Sequence, residues 1–210
     1  MFDYSLLHWT SFATAAVLLT LAPGPDIAFI LGQTVAGGRK SGFAAMFGIW
    51  TGAFGHVLFA TLGLSALLAT SAVAFTAVKW IGAAYLIWLG LSALRSGGGG
   101  FVGTGSAAAA PARIYRQGVL VALLNPKVAI FFLAFLPQFV VPGAGPAAAQ
   151  LFLHGCLIIV VAAVIEPPLV LAGASLTNRL RNNPRIGVWM DRTLGALFIG
   201  LGLRLAAETR

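Results

Sequence analysis

The chain has 210 residues, of which 59% are hydrophobic and only 9% charged, with a mean hydropathy of +0.94. A soluble domain carries about 25% charged residues, so the composition excludes an ordinary soluble fold and indicates an all-α polytopic membrane protein with the lipid bilayer as its solvent. The net charge of +8 would suit nucleic acid in a soluble protein, but the basic residues fall between apolar runs and read as topology, with no nucleic-acid partner.

The first apolar run begins without a charged leader, since no Lys or Arg precedes Arg39. It is also too long for a signal sequence, so no cleaved leader is expected. Span one is read as Trp9 to Val35, interrupted by Ala22-Pro23-Gly24-Pro25-Asp26. Pro23, Gly24 and Pro25 break the helix, because proline removes a backbone donor and clashes with the preceding turn. The carboxylate that follows is tolerated in a bilayer only against protein or a water-filled cavity.

Span two is read as Phe43 to Ala69 and carries a small-residue stripe, Ala44, Gly48, Gly52 and His56. Gly48 and Gly52 form G-x-x-x-G, which lets another helix approach closely. An exposed G-x-x-x-G is compatible with a homodimer. His56 faces the same contact, either as a packed, hydrogen-bonded group or as a proton relay. Span three is read as Val73 to Leu94. Tyr85 lies in it between Gly82 and Gly90 and is a core residue or a cavity-wall residue.

Residues 96–112 contain a run of four glycines and a run of four alanines, the composition of a flexible linker. They divide a single transmembrane domain, 1–210, into halves 1–95 and 113–210. Span four, Gly118 to Val141, is broken at Asn125-Pro126-Lys127 and also carries Gln138, a further candidate for the cavity wall. Span five, Ala147 to Gly173, contains Glu166-Pro167-Pro168. Pro167 and Pro168 free the carbonyls of Ala163 and Val164, and a carboxylate beside free carbonyls suits a cation or a proton. Alternatively the two prolines end the span and Glu166 meets interfacial water. Span six is the short run Thr193 to Ala206. Trp9, Trp80 and Trp189 lie near span ends, as belt residues do. The single Cys156 has no disulfide partner and no metal-ligand cluster around it, so no metal or other cofactor is expected.

The loops after spans one, three and five hold nine cations: Arg39, Lys40, Arg95, Arg113, Arg116, Arg179, Arg181, Arg185 and Arg192. The other side holds three, Lys79, Arg204 and Arg210. The positive-inside rule puts the nine in the cytoplasm and both termini in the periplasm. Three spans per half require the second half to be inverted if the halves are repeats, and a broken helix in each half then marks the binding site. About six spans with a 3+3 inverted repeat and broken helices one and four is the expected fold.

At a rise of about 1.5 Å per residue, Asp26, Lys127 and Glu166 all fall in the inner third of the bilayer, to within roughly 5 Å. Isolated charges there cost several kcal/mol, so pairing is expected. Asp26 and Lys127 form a structural ion pair, or line a polar cavity that contacts substrate or protons, or one of the charges lies at the interface and snorkels. In the second case Lys127, with Asn125 and the positive end of the half-helix, suits a substrate carboxylate. Asp26 then suits an ammonium group or an exchanged proton. With only five acidic residues and no metal cluster or phosphate-cradling loop, the chain is not expected to be an enzyme. A small channel, or a subunit of a larger complex, is the remaining alternative.

The motifs together resemble the lysine exporter superfamily, in its homoserine/threonine-exporter branch. They are Ala22 to Asp26, Gly48 to His56, Lys79 to Leu86, Leu124-Asn125-Pro126-Lys127, Phe135 to Phe139, and Gly195 to Gly202. The resemblance covers essentially the whole chain. It implies a bacterial inner-membrane secondary exporter of amino acids or their derivatives, driven by proton antiport. Glu166-Pro167-Pro168 departs from the family, which usually places aromatic residues there; the extra acid favours a cationic substrate or a second proton site.

Overall fold

The computed structural model describes residues 3–22, 24–64, 72–95, 109–182 and 184–207. Pro23 and most of the glycine- and alanine-rich linker lie outside them. All regular structure among the described residues is helical.

Helix α1 spans Leu6–Leu21 and starts on Ser5, whose hydroxyl accepts from the His8 amide at 3.2 Å. It ends at Ala22, where the backbone turns extended. Helix α2, Pro25–Phe59, begins with proline at its first position, where the missing N–H costs nothing. The break expected in span one is therefore a helix end, an extended Gly24 and a new helix start.

Within α2 only Gly38 leaves helical geometry, at φ 72° and ψ −170°, a conformation suited to glycine. Gly42 shows what this does to the chain. A Cβ on it would run into the Thr34 hydroxyl, eight residues earlier, a separation of about 12 Å in a straight helix. The helix is thus a hairpin of two arms folded at Gly38. The loop expected around Arg39 and Lys40 shrinks to one residue, and both cations begin the second arm. A π-helical turn, Ala60–Leu64, follows.

Helix α3 is Ala72–Arg95. Helix α4, Pro111–Leu123, starts about two turns before the expected Gly118. A 47° bend at Leu124-Asn125 leads into α5, Pro126–Ile130, which continues as a π-helical turn, Phe131–Phe135, and a 3-10 turn, Leu136–Phe139. The second broken helix is present where proline and asparagine predicted it.

Helix α6, Ala147–Asn182, decides between the two readings of its prolines: Pro167 and Pro168 lie inside it and do not end it. Proline's fixed φ fits a helix, and the cost falls on the carbonyls of Ala163 and Val164, which lose their partners and are crowded by the rings. The turns beyond are held by packing, with Val170 buried and Gly173 pressed on Thr34. Helix α7, Pro184–Ala207, is ten residues longer than the expected span six, so Arg185 and Arg192 lie on a helix and not in a loop. Ala147–Gly173 is long and apolar enough to cross a membrane, as is the bent pair of α4 and the Pro126–Phe139 segment taken together. Pro25–Gly63 is also long and apolar enough, though less apolar, and is folded at Gly38.

Two glycine contacts set the helix packing. A Cβ on Gly118 would lie 2.7 Å from the Ala45 carbonyl, and one on Gly52 2.6 Å from the Ala122 Cβ, so α4 lies directly on the second arm of α2. Gly48 meets the Tyr115 carbonyl in the same seam. The G-x-x-x-G stripe is therefore filled within the chain and is not itself an exposed face. Gly90 and Gly195 bring α3 and α7 together in the same way, a Cβ on Gly195 falling 2.7 Å from the Gly90 carbonyl. One apolar core joins Phe12 and Leu19 of α1 to Phe131, Phe132 and Phe135, and a second joins Ile30, Met46, Ile49, Ile114 and Val170.

Candidate functional site

Asp26 and Lys127 are each the second residue of a helix that starts with proline, and the fold points the two starts at each other. Lys127 Nζ donates to both carboxylate oxygens of Asp26, at 3.1 Å each, and to the Ala22 carbonyl at 3.0 Å. Lys127 is 4% exposed. A carboxylate in the first turn of α2 is favoured by the helix dipole, whereas an ammonium in the first turn of α5 is opposed by it. The opposition is met by Asp26 and by Ala22, a carbonyl freed at the end of α1. Extended Gly24 makes room for this. A Cβ there would lie 2.7 Å from Asp26 Oδ1 and 2.9 Å from Lys127 Nζ.

Asn125 caps α5, its side-chain oxygen accepting from the Lys127 amide at 3.0 Å. Its amide nitrogen is buried and has no partner among the described residues.

Glu166 lies inside α6, 3% exposed, and accepts from the Trp50 indole N–H at 2.7 Å. Asp26, Trp50 and Glu166 line one cavity of about 40 Å³, walled by Thr20, Phe132 and Ile158 among others. That is room for about two or three waters, far below the roughly 300 Å³ of a small-molecule pocket. An amino acid does not fit the cavity in this conformation.

The three intramembrane charges are thus brought together, two at the cavity and the third bonded to one of them. The other candidates are not. His56 is buried behind Ala122, 3.1 Å from its carbonyl, and stacks on Phe132, the packed arrangement read from the glycine stripe. Gln138 bonds weakly to the Ala134 carbonyl at 3.4 Å and does not reach the cavity. Tyr85 is on α3, its side chain outside the described residues. Trp50 and Thr20 were not anticipated. Trp50 had a legible signal, since a tryptophan deep in an apolar span needs a partner for its N–H.

A family model described as LysE type translocator matches residues 17–209. The chain belongs to the LysE type translocator family. As a LysE-type chain it is a membrane protein of a family of translocators. It is similar to a protein of Vibrio cholerae described as an uncharacterized membrane protein, at 32% identity over 94% of this chain and 96% of the relative. It is 30% identical to the homoserine/homoserine lactone efflux protein of Salmonella typhi, over 95% of this chain and 96% of the relative. It is 28% identical to the leucine efflux protein of Klebsiella pneumoniae, over 97% of each. No solved structure matches the chain.

Proposed function

We propose that this LysE-type chain exports an amino acid or a close derivative across the bacterial inner membrane in exchange for protons. One observation carries the reading: a buried Asp26–Lys127 pair sits where two broken helices meet, beside a cavity that also holds Glu166. The relatives named for leucine and homoserine efflux support the amino-acid class.

Lys127, the start of α5 and the unpartnered amide of Asn125 would receive the substrate carboxylate. Asp26 would receive the α-ammonium, so that one ion pair is replaced by two and neither charge is left alone. Glu166 would carry the exchanged proton. Since the cavity holds only a few waters, binding and release require the helices to part.

The architecture in this reading is one transmembrane unit of six spans, with halves 1–95 and 113–210 as an inverted repeat and both termini periplasmic. Reciprocal packing supports the repeat. Helix α1, before the first break, packs on α6 of the other half; α4, before the second break, packs on the second arm of α2.

The test is flux in proteoliposomes loaded with leucine, homoserine and a panel of other amino acids. Saturable efflux accelerated by a pH gradient is the expected result. Unsaturable flux would make the chain a channel, and no flux from pure protein would make it a subunit. Reporter fusions at Gly98 and Asn182 should read cytoplasmic and one at Gly143 periplasmic; the reverse at two of the three overturns the topology.

A further inference from the structure

A second polar cluster lies away from the charged site, in the seam between α1 and α6. His8 Nε2 and His154 Nε2 face each other at 2.8 Å. His154 Nδ1 is 2.8 Å from the Gln150 carbonyl, which can only accept, so Nδ1 carries the hydrogen. The Nε2 of neutral His154 is then bare and accepts from His8 Nε2–H. Trp9 stacks on the His154 ring at 5.6 Å, Tyr4 stacks on His8 at 4.3 Å, and Phe12 and Phe139 meet His154 at 4.8 and 5.9 Å.

Gln150, fully buried, fastens three pieces of chain at this point. Its side-chain oxygen accepts from the Tyr4 hydroxyl and the Val141 amide, at 3.0 and 2.9 Å. Its nitrogen donates to the carbonyls of Val141 and Gly145, at 3.0 and 2.8 Å. The N-terminal segment, the turn before α6 and α6 itself close over the seam together.

The cavity lies farther along the same two helices. Its wall includes Leu19 and Thr20 of α1, and Ile158 and Ala162 of α6. Phe12 to Leu19 and His154 to Ala162 are each about 10–12 Å of helix. A substrate leaving between α1 and α6 on the His8 side must part this cluster. Beyond the cavity, Pro167 and Pro168 remove two consecutive hydrogen bonds from α6, a point where the helix bends most easily.

We infer that the His8–His154 contact, with its aromatic surround, is the latch of an outer gate, and that the gate opens when α6 tilts at Pro167-Pro168 and withdraws His154 from α1. The latch is polar where its surroundings are apolar, so it breaks and re-forms by exchange with water at the membrane surface while the rings below keep the seam dry. Its outward side rests on the topology proposed above; its existence as a gate does not.

The test is labelling of Thr20→Cys, in a Cys156→Ser background, by a membrane-impermeant thiol reagent applied to right-side-out vesicles. His8→Phe and His154→Phe keep a ring and remove the hydrogen bond. A contact worth about 1 kcal/mol predicts that either substitution raises the labelling rate about fivefold. Met46→Cys, buried in the other core, should stay unlabelled, which separates gate opening from general loosening. Should Thr20→Cys fail to fold, Ile159→Cys reports on the same cavity. Unchanged labelling in both phenylalanine variants, or equal labelling of Met46→Cys, overturns the inference. The same rise seen only in inside-out vesicles keeps the latch and reverses the topology. No substrate enters the measurement, so its result is independent of whether the chain exports amino acids.

Discussion

Trp50 Nε1 donates to Glu166 Oε2 at 2.7 Å, a bond between helices whose residues are 116 positions apart. It holds a carboxyl group at the wall of the cavity that Asp26 shares, with no cation on it among the described residues. A buried carboxyl in this setting is a group that a proton or a cation would satisfy, as the exchange proposed above requires.

Glu166→Gln keeps an acceptor for the Trp50 indole and removes the titration. Export by this variant should lose its pH dependence with the protein level unchanged, measured as flux against pH in proteoliposomes. An unaltered profile would reduce Glu166 to an anchor for Trp50. Trp50→Phe should instead lower thermal stability, by about 1–3 kcal/mol, because it strands a buried acceptor.

Asp26→Asn and Lys127→Met should each abolish export and cost about 3–5 kcal/mol, since each leaves one buried charge without its partner. The double variant separates structure from function. Its thermal stability should recover most of the loss while flux stays at zero. Wild-type export by the double variant would refute the assignment of these residues to the substrate.

Gly24→Ala should disturb the pair without touching its charges. The added Cβ would fall 2.7 Å from Asp26 Oδ1 and 2.9 Å from Lys127 Nζ, so the carboxylate or the ammonium must move. The expected result is a destabilisation of about 1–3 kcal/mol with a sharp fall in export. Full activity in this variant would show that the pair tolerates a different geometry.

Gly48→Val should destabilise the chain, not dissociate it. The side chain would strike the Tyr115 backbone in α4. Thermal melts and light scattering on purified protein distinguish the outcomes. A lower melting temperature at unchanged particle mass is expected, and a smaller particle of normal stability would mean that the stripe joins two copies.

Much of this was legible in the chain. Pro25-Asp26 and Pro126-Lys127 announced two helix starts with charges on them, because proline at a first helical position is a local rule that needs no tertiary knowledge. That Asp26, Lys127 and Glu166 come near one another followed from counting residues along apolar runs. His56 could be called packed from its place in a glycine stripe. Pro167-Pro168 left two readings open, because whether a proline ends a helix or merely weakens it depends on what holds the next turn, and here that is Thr34, packed on Gly173 from another helix.

The class of the molecule, its broken helices and the need for its buried charges to meet follow from the residues alone, since burial in an apolar medium leaves an acid and a base little choice. Which partners they meet follows from the packing of distant helices. Lys127 takes Asp26 together with the freed Ala22 carbonyl, Glu166 takes Trp50, and His154 takes His8. That packing also decided that the G-x-x-x-G stripe is spent inside the chain. The physical reason is shared: side-chain hydrogen bonds and close backbone contacts act over about 3 Å, and no local pattern fixes positions that finely across a hundred residues.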